Sequence, residues 1–441
     1  MVPRSDATDR RTALRALAGL AGASALPAAA GCLGGNRSDD RGAGTDGDGT
    51  GDDAATDASP DDGDDVAYAV ETVATGFENP WGLAFLPDDG RLLVTERPGR
   101  LSLVDPADGT VEAVAGAPDV FAEDQGGLLD VAVHPDYPDD PRVYLTYAAA
   151  ASDSPVAAER GAATHVGAGR LSFADDGAPG LAAFRAIHVA EPFRESAKHF
   201  GSRATFGPNG GLFVTVGDRR DTEFGPGHVS QDRSNELGAT LRLTPDGDPH
   251  PENPFVGDPD AADALYSYGH RNPQAMAIRP ETGAVWQCEH GEEDGDEINV
   301  VERGGNYGWP IASEACRYGT DDPVAPGHAA RDDATAPVHH WPCGGAGFPP
   351  SGAVFYTGDA FPAWRGDLFA GTLAGEYLGR FTAEGTSTGD AGPAAVSVTE
   401  RDPLLADRGW RVRALAVEPG TDALCIAVDD ADAPVVKLVP E

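Results

Sequence analysis

The chain has 441 residues, of which 72 are acidic and 32 are Lys or Arg, so its formal net charge at pH 7 is −40. A surface of that charge repels nucleic acid and anionic lipid, which excludes both as direct partners of the folded protein. Acidic side chains stay hydrated in concentrated salt, where their mutual repulsion is screened, so the composition predicts a high-salt habitat.

Residues 1–32 are predicted to be a targeting signal and not part of the fold. Arg10 and Arg11 precede an apolar run over 13–30, and the run ends at Cys32 in a phrase that resembles a lipoprotein cleavage box. A twin arginine resembles the Tat-type signal for export of folded proteins. The sequence thus predicts export to the cell surface, with contact to the outer face of the cytoplasmic membrane only through lipidated Cys32. The alternative is an ordinary cleaved signal with a chance cysteine.

A polar segment separates this signal from the folded domain. Residues 33–65 are mostly Gly, Asp, Thr and Ser, with almost no apolar side chain. They cannot bury a core and are predicted to be a disordered acidic tether. The folded domain is expected to cover residues 66–441.

One pattern recurs six times in that domain: a strand, a turn rich in Pro, Gly or Asp, and a second strand. The six copies begin at Trp81, Gly127, Ser202, Gln274, Gly352 and Val412. Repeated strand pairs at such intervals predict an all-β fold, a six-bladed β-propeller. A β-sandwich is the alternative, but sandwiches rarely reuse one sequence phrase six times.

Four cysteines remain besides the one at the predicted lipid site: Cys288, Cys316, Cys343 and Cys425. An exported protein can form disulfides. Cys316 and Cys343 are the easiest pair, since both lie in the long loop region after Trp309. The spacing of Cys and His predicts no zinc site.

In a propeller, ligands bind where loops of several blades meet at one end of the central channel, so polar residues beside the repeated strands are the candidates. His199 precedes the third repeat and Asp218 closes the same hairpin, which lets the carboxylate orient the imidazole. A neutral histidine aligned by a carboxylate is a good general base near neutral pH. The alternative is a histidine that only hydrogen-bonds a neighbouring loop.

Other polar residues hold similar positions. Arg271 and Asn272 can bind a carbonyl or carboxylate from two directions. Arg411 and Arg413 are spaced to share one face of a strand, which favours an anionic ligand. Gln125 begins the second repeat and can point an amide into the channel. A structural arginine that braces loops is the alternative for Arg271, and a pair of salt bridges is the alternative for Arg411 and Arg413.

The loop over residues 289–297 is rich in carboxylates and broken by glycines. Hard cations such as Ca²⁺ bind carboxylate and backbone carbonyl oxygens, so this loop is a candidate metal site. A solvated acidic loop is the alternative in so acidic a chain.

Six phrases together carry a family resemblance. They are Asn79-Pro-Trp-Gly-Leu-Ala-Phe, Gln125-Gly-Gly-Leu-Leu, His199-Phe-Gly-Ser-Arg, Leu237-Gly-Ala-Thr-Leu-Arg-Leu, Gly269-His-Arg-Asn-Pro-Gln and Gly304-Gly-Asn-Tyr-Gly-Trp-Pro. Over residues 66–438 the chain resembles the soluble pyrroloquinoline quinone (PQQ)-dependent glucose/sorbosone dehydrogenases, or aldose sugar dehydrogenases, in a haloarchaeal-type exported form. The resemblance implies a six-bladed propeller that oxidises an aldose at C1 to its lactone with PQQ and Ca²⁺ as cofactors. It also implies an external electron acceptor and a monomer or homodimer.

The resemblance assigns roles to individual residues. His199 matches the base that takes the C1 hydroxyl proton while hydride passes to the quinone, and Asp218 matches its supporting carboxylate. Arg271 matches the arginine that polarises the reacting quinone carbonyl, and Asn272 matches its neighbour on the cofactor. Gln125 matches a glutamine that contacts the sugar.

Two metal sites are implied in the same way. Gly291 and Glu292 match the positions whose backbone carbonyls hold the Ca²⁺ that bridges to the cofactor. Glu297 and the carbonyl of Tyr307 match part of a second, structural Ca²⁺ site. The first Ca²⁺ and the arginine would withdraw charge from the quinone, which makes it a better hydride acceptor. The second Ca²⁺ would steady the loop.

Arg411 and Arg413 match arginines that pair with the carboxylates of the cofactor. The chain departs from the family at two positions. Ala374 stands where the family commonly has a cofactor-binding lysine, and Arg380 is the nearby arginine considered as a substitute. His290 stands where well-known glucose-oxidising members carry glutamine. The alternatives to a PQQ-dependent dehydrogenase are a non-catalytic or PQQ-deficient propeller that binds a ligand or partner, and a calcium-dependent lactonase-like hydrolase.

Overall fold

The structure is a computed structural model that describes residues 66–441 apart from 88, 152–160 and 386–395. The signal predicted at 1–32, its Cys32 and the tether predicted at 33–65 all lie outside the described residues. Within the described ranges no helix is long and apolar enough to cross a membrane.

The described residues form twenty-four β-strands and three short 3-10 segments at Val229–Gln231, His328–Ala330 and Pro362–Trp364. In chain order the strands are β1 (Tyr68–Phe77), β2 (Pro80–Phe85), β3 (Leu92–Glu96), β4 (Arg100–Val104), β5 (Val111–Ala113), β6 (Leu128–Val133), β7 (Arg142–Ala150), β8 (Ala162–Phe173), β9 (Pro179–Val189), β10 (Ala204–Phe206), β11 (Leu212–Val216), β12 (Ala239–Leu243), β13 (Leu265–Tyr268), β14 (Pro273–Ile278), β15 (Val285–Glu289), β16 (Glu297–Val301), β17 (His339–His340), β18 (Pro350–Phe355), β19 (Leu368–Thr372), β20 (Leu378–Glu384), β21 (Ser397–Glu400), β22 (Val412–Val417), β23 (Leu424–Val428) and β24 (Ala433–Pro440).

These strands form six antiparallel sheets of four strands each. Five sheets are made of four consecutive strands, and the sixth joins β22, β23 and β24 to β1, with Tyr68 opposite Pro440. The inner strands β2, β6, β10, β14, β18 and β22 contact one another in a closed ring. The predicted six-bladed propeller is confirmed, and each predicted repeat forms the first two strands of one blade.

Strands in the middle of a blade are buried on both faces. All residues of β3, β11 and β23 are buried, so their sequences read as continuous apolar runs broken mainly by threonine. Each blade packs between two neighbours, which covers both sides of its sheet and removes the usual alternation of apolar and polar residues.

Each inner strand begins, and each second strand ends, at the same end of the propeller, because the two are antiparallel. We call this end the site face. The loops that precede the inner strands and those that follow the second strands therefore meet there, which places residues distant in sequence around one channel opening.

Arg203, directly before β10, lies across the central channel and is buried. Its guanidinium contacts the other five inner strands through the Asp130 carboxylate (3.0 Å), the carbonyls of Gln274 (2.6 Å), Ser351 (3.0 Å) and Arg413 (2.8 Å), and the Trp81 ring (4.0 Å to the centroid). Burial lowers the pKa of Arg203 to about 10, and Asp130 partly offsets that effect. The side chain thus ties all six blades together and closes the channel at this level.

Beyond Arg203 the channel continues as a cavity of about 350 Å³ towards the opposite end. Apolar side chains such as Phe85, Phe206 and Leu415 line it, with His134 among them. The predicted site residues do not line this cavity; they lie on the site face instead.

Candidate active site

Loops of different blades carry the predicted site residues to the site face. The residues lie at the start of an inner strand or after the end of a second strand: Gln125, His199, Asp218, Arg271, Asn272, Gly291, Glu292, Arg411 and Arg413. The Asp218 N–H donates to the Arg271 carbonyl at 2.8 Å, and the His290 N–H donates to the Asn272 carbonyl at 3.3 Å. The first bond joins the third blade to the fourth, and the second joins two loops of the fourth blade.

His199 and Asp218 form the predicted pair. The Nδ1 atom of His199 lies 2.7 Å from Oδ1 of Asp218, and both side chains are buried. The Trp309 indole donates to the other carboxylate oxygen at 2.9 Å, and the Arg220 N–H donates to Oδ1 at 2.7 Å. The carboxylate is therefore fixed on several sides, and its bond to Nδ1 leaves Nε2 as the ring nitrogen that can accept a proton.

Charge and burial tune this pair for base chemistry. Burial and the charge of Arg271 lower the pKa of His199, against the opposing effect of Asp218, so the imidazole is neutral near pH 7. Burial would raise the pKa of Asp218, but His199 and Arg271 outweigh it and hold that carboxyl below its usual range. A neutral imidazole beside an ionised carboxylate is the arrangement a general base needs.

Gln125 positions the base from the other side. Its Oε1 atom accepts a hydrogen bond from the His199 N–H at 2.8 Å. His199 has a backbone φ of 51°, in a region that non-glycine residues rarely adopt, so an external bond helps to hold it there. The predicted contact of Gln125 with sugar then falls to its amide nitrogen.

Arg271 lies beside the base and keeps its charge. Its guanidinium donates to Oε2 of Glu292 at 2.7 and 3.1 Å and lies 5.3 Å from the centroid of the Trp309 ring. Burial alone would lower the pKa of Arg271, but Asp218 and Glu292 raise it above its ordinary value. A buried, permanent positive charge next to the base suits the polarisation of an electron-poor ligand carbonyl.

Asn272 is committed to the protein through its side-chain oxygen, which accepts from the Gly201 N–H at 3.2 Å. Arg411 and Arg413 share a face as predicted, since both reach Asp429, at 3.8 and 2.5 Å respectively. Arg413 is buried and its Nε has no partner in the described part of the chain, whereas the Arg411 side chain is 44% exposed. An unpaired buried N–H and a half-exposed guanidinium leave donors available for an anionic group.

The loop after β15 fits a cation. The carbonyls of Gly291 and Glu292 accept no hydrogen bond from any described residue, while Asp296 holds the loop by accepting from the Gly291 N–H at 3.0 Å. A Cβ on residue 291 would lie 1.9 Å from the Asp294 carbonyl, so only glycine fits. Two free carbonyls on a fixed loop are suitable ligands for Ca²⁺.

Known proteins are similar to this chain in sequence and in fold. Residues 77–437 match the family described as Glucose / Sorbosone dehydrogenase. The chain belongs to the glucose/sorbosone dehydrogenase family. The family resemblance and its class of enzyme, a sugar dehydrogenase, are thereby confirmed.

Relatives of this dehydrogenase cover nearly the whole folded part. The aldose sugar dehydrogenase YliI of Escherichia coli is 35% identical over 84% of this chain and 92% of its own. The apo structure of the Escherichia coli soluble aldose sugar dehydrogenase has a TM-score of 0.75 over 85% of this chain and 100% of its own, at 34% identity. A PQQ-bound aldose sugar dehydrogenase from Streptomyces coelicolor has a TM-score of 0.64 over 86% of this chain and 99% of its own, at 29% identity.

The second predicted metal group of the dehydrogenase contains a histidine. Nε2 of His328 lies 3.1 Å from the Tyr307 carbonyl, and Nδ1 lies 3.2 Å from Glu314 and 4.0 Å from Glu297. Burial raises the pKa of Glu297 to about 8. His328 therefore contacts both residues of the predicted second Ca²⁺ site, Glu297 and the Tyr307 carbonyl, and that site stays a prediction.

The two departures from the family have clear positions. Ala374 is exposed in the turn after β19 on the site face. It supplies no positive charge at the position where the family commonly has lysine. Arg380 does not substitute for that lysine, which corrects the expectation. Its guanidinium bonds Asp367 at 2.7 Å, at the end of the blade away from the site face.

His290, the second departure, bonds the Pro350 carbonyl at 2.6 Å. Burial, together with the charge of Arg271, lowers the pKa of His290 to about 3.

Sequence reasoning missed the contacts that link distant loops. Trp309 lies 91 positions from Asp218 and joins it to Arg271, and only its place in the Gly-Asn-Tyr-Gly-Trp-Pro phrase could have signalled this. Glu289 was also missed as a support: its carboxylate accepts from the Arg271 N–H at 2.8 Å and from His270 at 2.8 Å. Asp294 and the two sulfurs of the Cys316–Cys343 disulfide lie close together, but oxidised sulfurs are not thiolate ligands.

Proposed function

We propose that this dehydrogenase oxidises an aldose at C1 to its lactone, with PQQ and Ca²⁺ as cofactors, and passes the electrons to an external acceptor. The observation that carries the proposal is the buried His199–Asp218 pair beside the charged Arg271 on the site face. The relatives named above, an aldose sugar dehydrogenase and a PQQ-bound aldose sugar dehydrogenase, support the substrate class and the cofactor.

The residues of this chain divide the work of the reaction. When bound, PQQ would supply the acceptor for the hydride that leaves C1. His199 removes the C1 hydroxyl proton through Nε2, and Asp218 stabilises the imidazolium that forms. Arg271, fixed by Glu292 and by Trp309, donates hydrogen bonds to a ligand carbonyl and stabilises the negative charge that develops there.

Cofactor binding falls to the remaining site residues. The Gly291 and Glu292 carbonyls would hold the Ca²⁺ ion. Arg411 and Arg413 would pair with the cofactor carboxylates, and the rigid position of Asn272 would shape the wall of the pocket. Arg413 and Asn272 are buried, and the low local dielectric strengthens the charge interaction of Arg413 with an anionic group.

The test is a titration of apo-protein with PQQ and Ca²⁺ in high salt, followed by dye reduction with a panel of aldoses. We expect a spectral change on cofactor binding and dye reduction with at least one aldose. Neither signal with any sugar would remove the dehydrogenase proposal.

Replacing His199 separates binding from chemistry. H199Q keeps a polar side chain of similar size but cannot take up the proton, so turnover should fall at least about 100-fold while PQQ still binds. Turnover close to that of the unaltered protein would show that another group is the base.

A PQQ-deficient propeller that binds a ligand or partner is the second candidate, and Ala374 is the observation that favours it. Replacing Ala374 with lysine restores a cation on the site face and should tighten PQQ binding. If A374K binds PQQ while the unaltered chain does not at any tested concentration, the second candidate is correct for the natural protein.

We also propose that the protein is exported and held at the outer face of the cytoplasmic membrane by a lipid on Cys32, as a monomer or homodimer. The basis is the twin-arginine phrase and the cysteine that ends the apolar run. A C32S variant that stays in the membrane fraction to the same extent would contradict the anchor.

A further inference from the structure

A basic cavity lies between the third and fourth blades, at the end of the propeller away from the site face. The turns at 207–211, between β10 and β11, and at 279–284, between β14 and β15, contribute to its walls, and its volume is about 210 Å³. Arg242 on β12 and His250 in the following loop line it together. No aspartate or glutamate of the described residues lines it, although the chain has 72 acidic residues.

Arg242 differs from the other buried arginines of the described chain in lacking a counter-charge. Those others are Arg203, Arg219, Arg271, Arg380 and Arg413. Four of the five bind a carboxylate, and Arg219 donates to three backbone carbonyls. The Arg242 guanidinium donates from Nε to Asn253 at 2.9 Å, but its Nη2 is buried with no partner among the described residues. A buried donor without an acceptor is costly, so this charge favours a ligand that accepts from it.

The neighbouring residues hold the Arg242 charge in the cavity. A Cβ on residue 211 would lie 3.2 Å from Cγ of Arg242, so the side chain packs directly against Gly211. The Tyr266 ring centroid lies 5.1 Å from the guanidinium carbon. Burial lowers the pKa of Arg242, and the charge of Glu252 only partly offsets this effect. The guanidinium is thus fixed before any ligand arrives, which reduces the entropic cost of binding.

The cavity offers further donors besides the guanidinium. Nδ1 of His250 accepts from the Glu252 N–H at 3.2 Å, so the neutral ring carries its proton on Nε2. The Thr282 side-chain oxygen accepts from the Ala284 N–H at 3.3 Å, which leaves its hydroxyl able to donate. His250 comes from the third blade and Thr282 from the fourth.

We propose that this cavity binds a small oxyanion of the phosphate or sulfate class, held by Arg242 and His250, and that the bound ion joins the third blade to the fourth. A planar guanidinium presents its N–H groups in the geometry that oxyanions accept, and the imidazole and hydroxyl supply donors from other directions. The site lies at the opposite end of the propeller from the proposed sugar oxidation and does not depend on it.

The experiment is a calorimetric titration of the full chain, without added PQQ, with inorganic phosphate and separately with sulfate, in high-salt buffer of constant KCl. We expect saturable binding of at least one of the two ions, and the tighter one is the ion that the site prefers. R242Q should weaken this binding at least about ten-fold, because it removes the charge. Its amide can still donate to Asn253, since the Gln nitrogen stands where Nε of arginine does.

R411Q is the matched control for charge and for place. It removes the same charge from the site face, where Arg411 is also able to bind an anion, and it should leave the affinity unchanged. No saturable binding of either ion, or an equal loss of affinity in R242Q and R411Q, would overturn the proposal. A loss in R411Q alone would place the anion on the site face and would also overturn it.

Hydrogen exchange in the unaltered chain locates the ion without relying on the folding of a variant. Phosphate or sulfate should slow amide exchange in peptides that cover 207–211 and 279–284, because a ligand that binds the folded state suppresses local opening. Peptides from the site-face loop at 290–296 should not change. Slowing confined to that loop, or no slowing at the two turns, would contradict an anion between the blades.

Discussion

At the scale of single residues, the site is built from side chains that hold other side chains. Asp218 accepts bonds from His199, from Trp309 and from the backbone of Arg220, and it also raises the pKa of Arg271. One carboxylate therefore fixes the ring, the tautomer and part of the charge balance of the site. Its loss should affect chemistry more than binding.

The first prediction concerns pH. The pKa of His199 is lowered, so its neutral, basic form persists below the pH at which a free imidazole, with a pKa of about 6.5, would protonate. Turnover should therefore be retained through mildly acidic pH and be lost as the pH falls through the lowered pKa. A pH profile of kcat with glucose in constant high salt measures the acid limb.

D218N provides the matched comparison for that profile. It removes the charge that raises the pKa of His199 and leaves an amide that can select the wrong tautomer. We expect kcat to fall by about 10²- to 10⁴-fold and the acid limb to move to lower pH. An acid limb that stays in place would mean that His199 does not set it.

At the scale of elements, the sequence predicted the strands whose phrase repeats and missed the strands that lack such a phrase. The inner and second strands were recognisable because their phrase recurs, whereas outer strands such as β5 and β17 are short, with three and two residues. The pairing of β1 with β24 joins the two ends of the domain, and no local pattern encodes it. Tertiary contacts, not propensity, form these elements.

The site shows the same division. His199 and Asp218 lie at the two ends of one hairpin, so local reasoning found their pairing, which the structure confirms. The bonds of Trp309 to Asp218 and of Glu292 to Arg271 depend on how long loops fold over the site face. The contact of His328 with Tyr307 is of the same kind, because 21 positions separate them.

The disulfide gives a prediction for the long loop before β18. Cys316 and Cys343 are joined, as predicted, across 27 positions, and a closed loop of that length restricts the unfolded chain. C316S/C343S should lose about 3 kcal/mol of stability, because the unfolded chain is then no longer restricted by the closed loop. Thermal unfolding measures this loss.

The control for that variant is chemical. Cys288 and Cys425 are buried free thiols, so a reductant should change the melting temperature of the unaltered protein but not that of C316S/C343S. Equal sensitivity of both proteins would show that the disulfide is not what stabilises the loop.

At the scale of the whole molecule, one side chain joins all six blades. Arg203 is buried and bonded to Asp130, and R203M would leave that carboxylate buried without its partner. We expect a loss of about 3–5 kcal/mol, measured by urea unfolding in high salt. R203M/D130N should recover part of this loss, because it also removes the unpaired charge. Two additive losses would mean that the residues act independently.

The position of Arg203 also bears on how ligands would reach the site in the proposed reaction. With the channel closed at that level, sugar, lactone and electron acceptor would all use the site face. We therefore expect ping-pong kinetics, in which the lactone leaves before the acceptor is reduced and each substrate in excess inhibits the other.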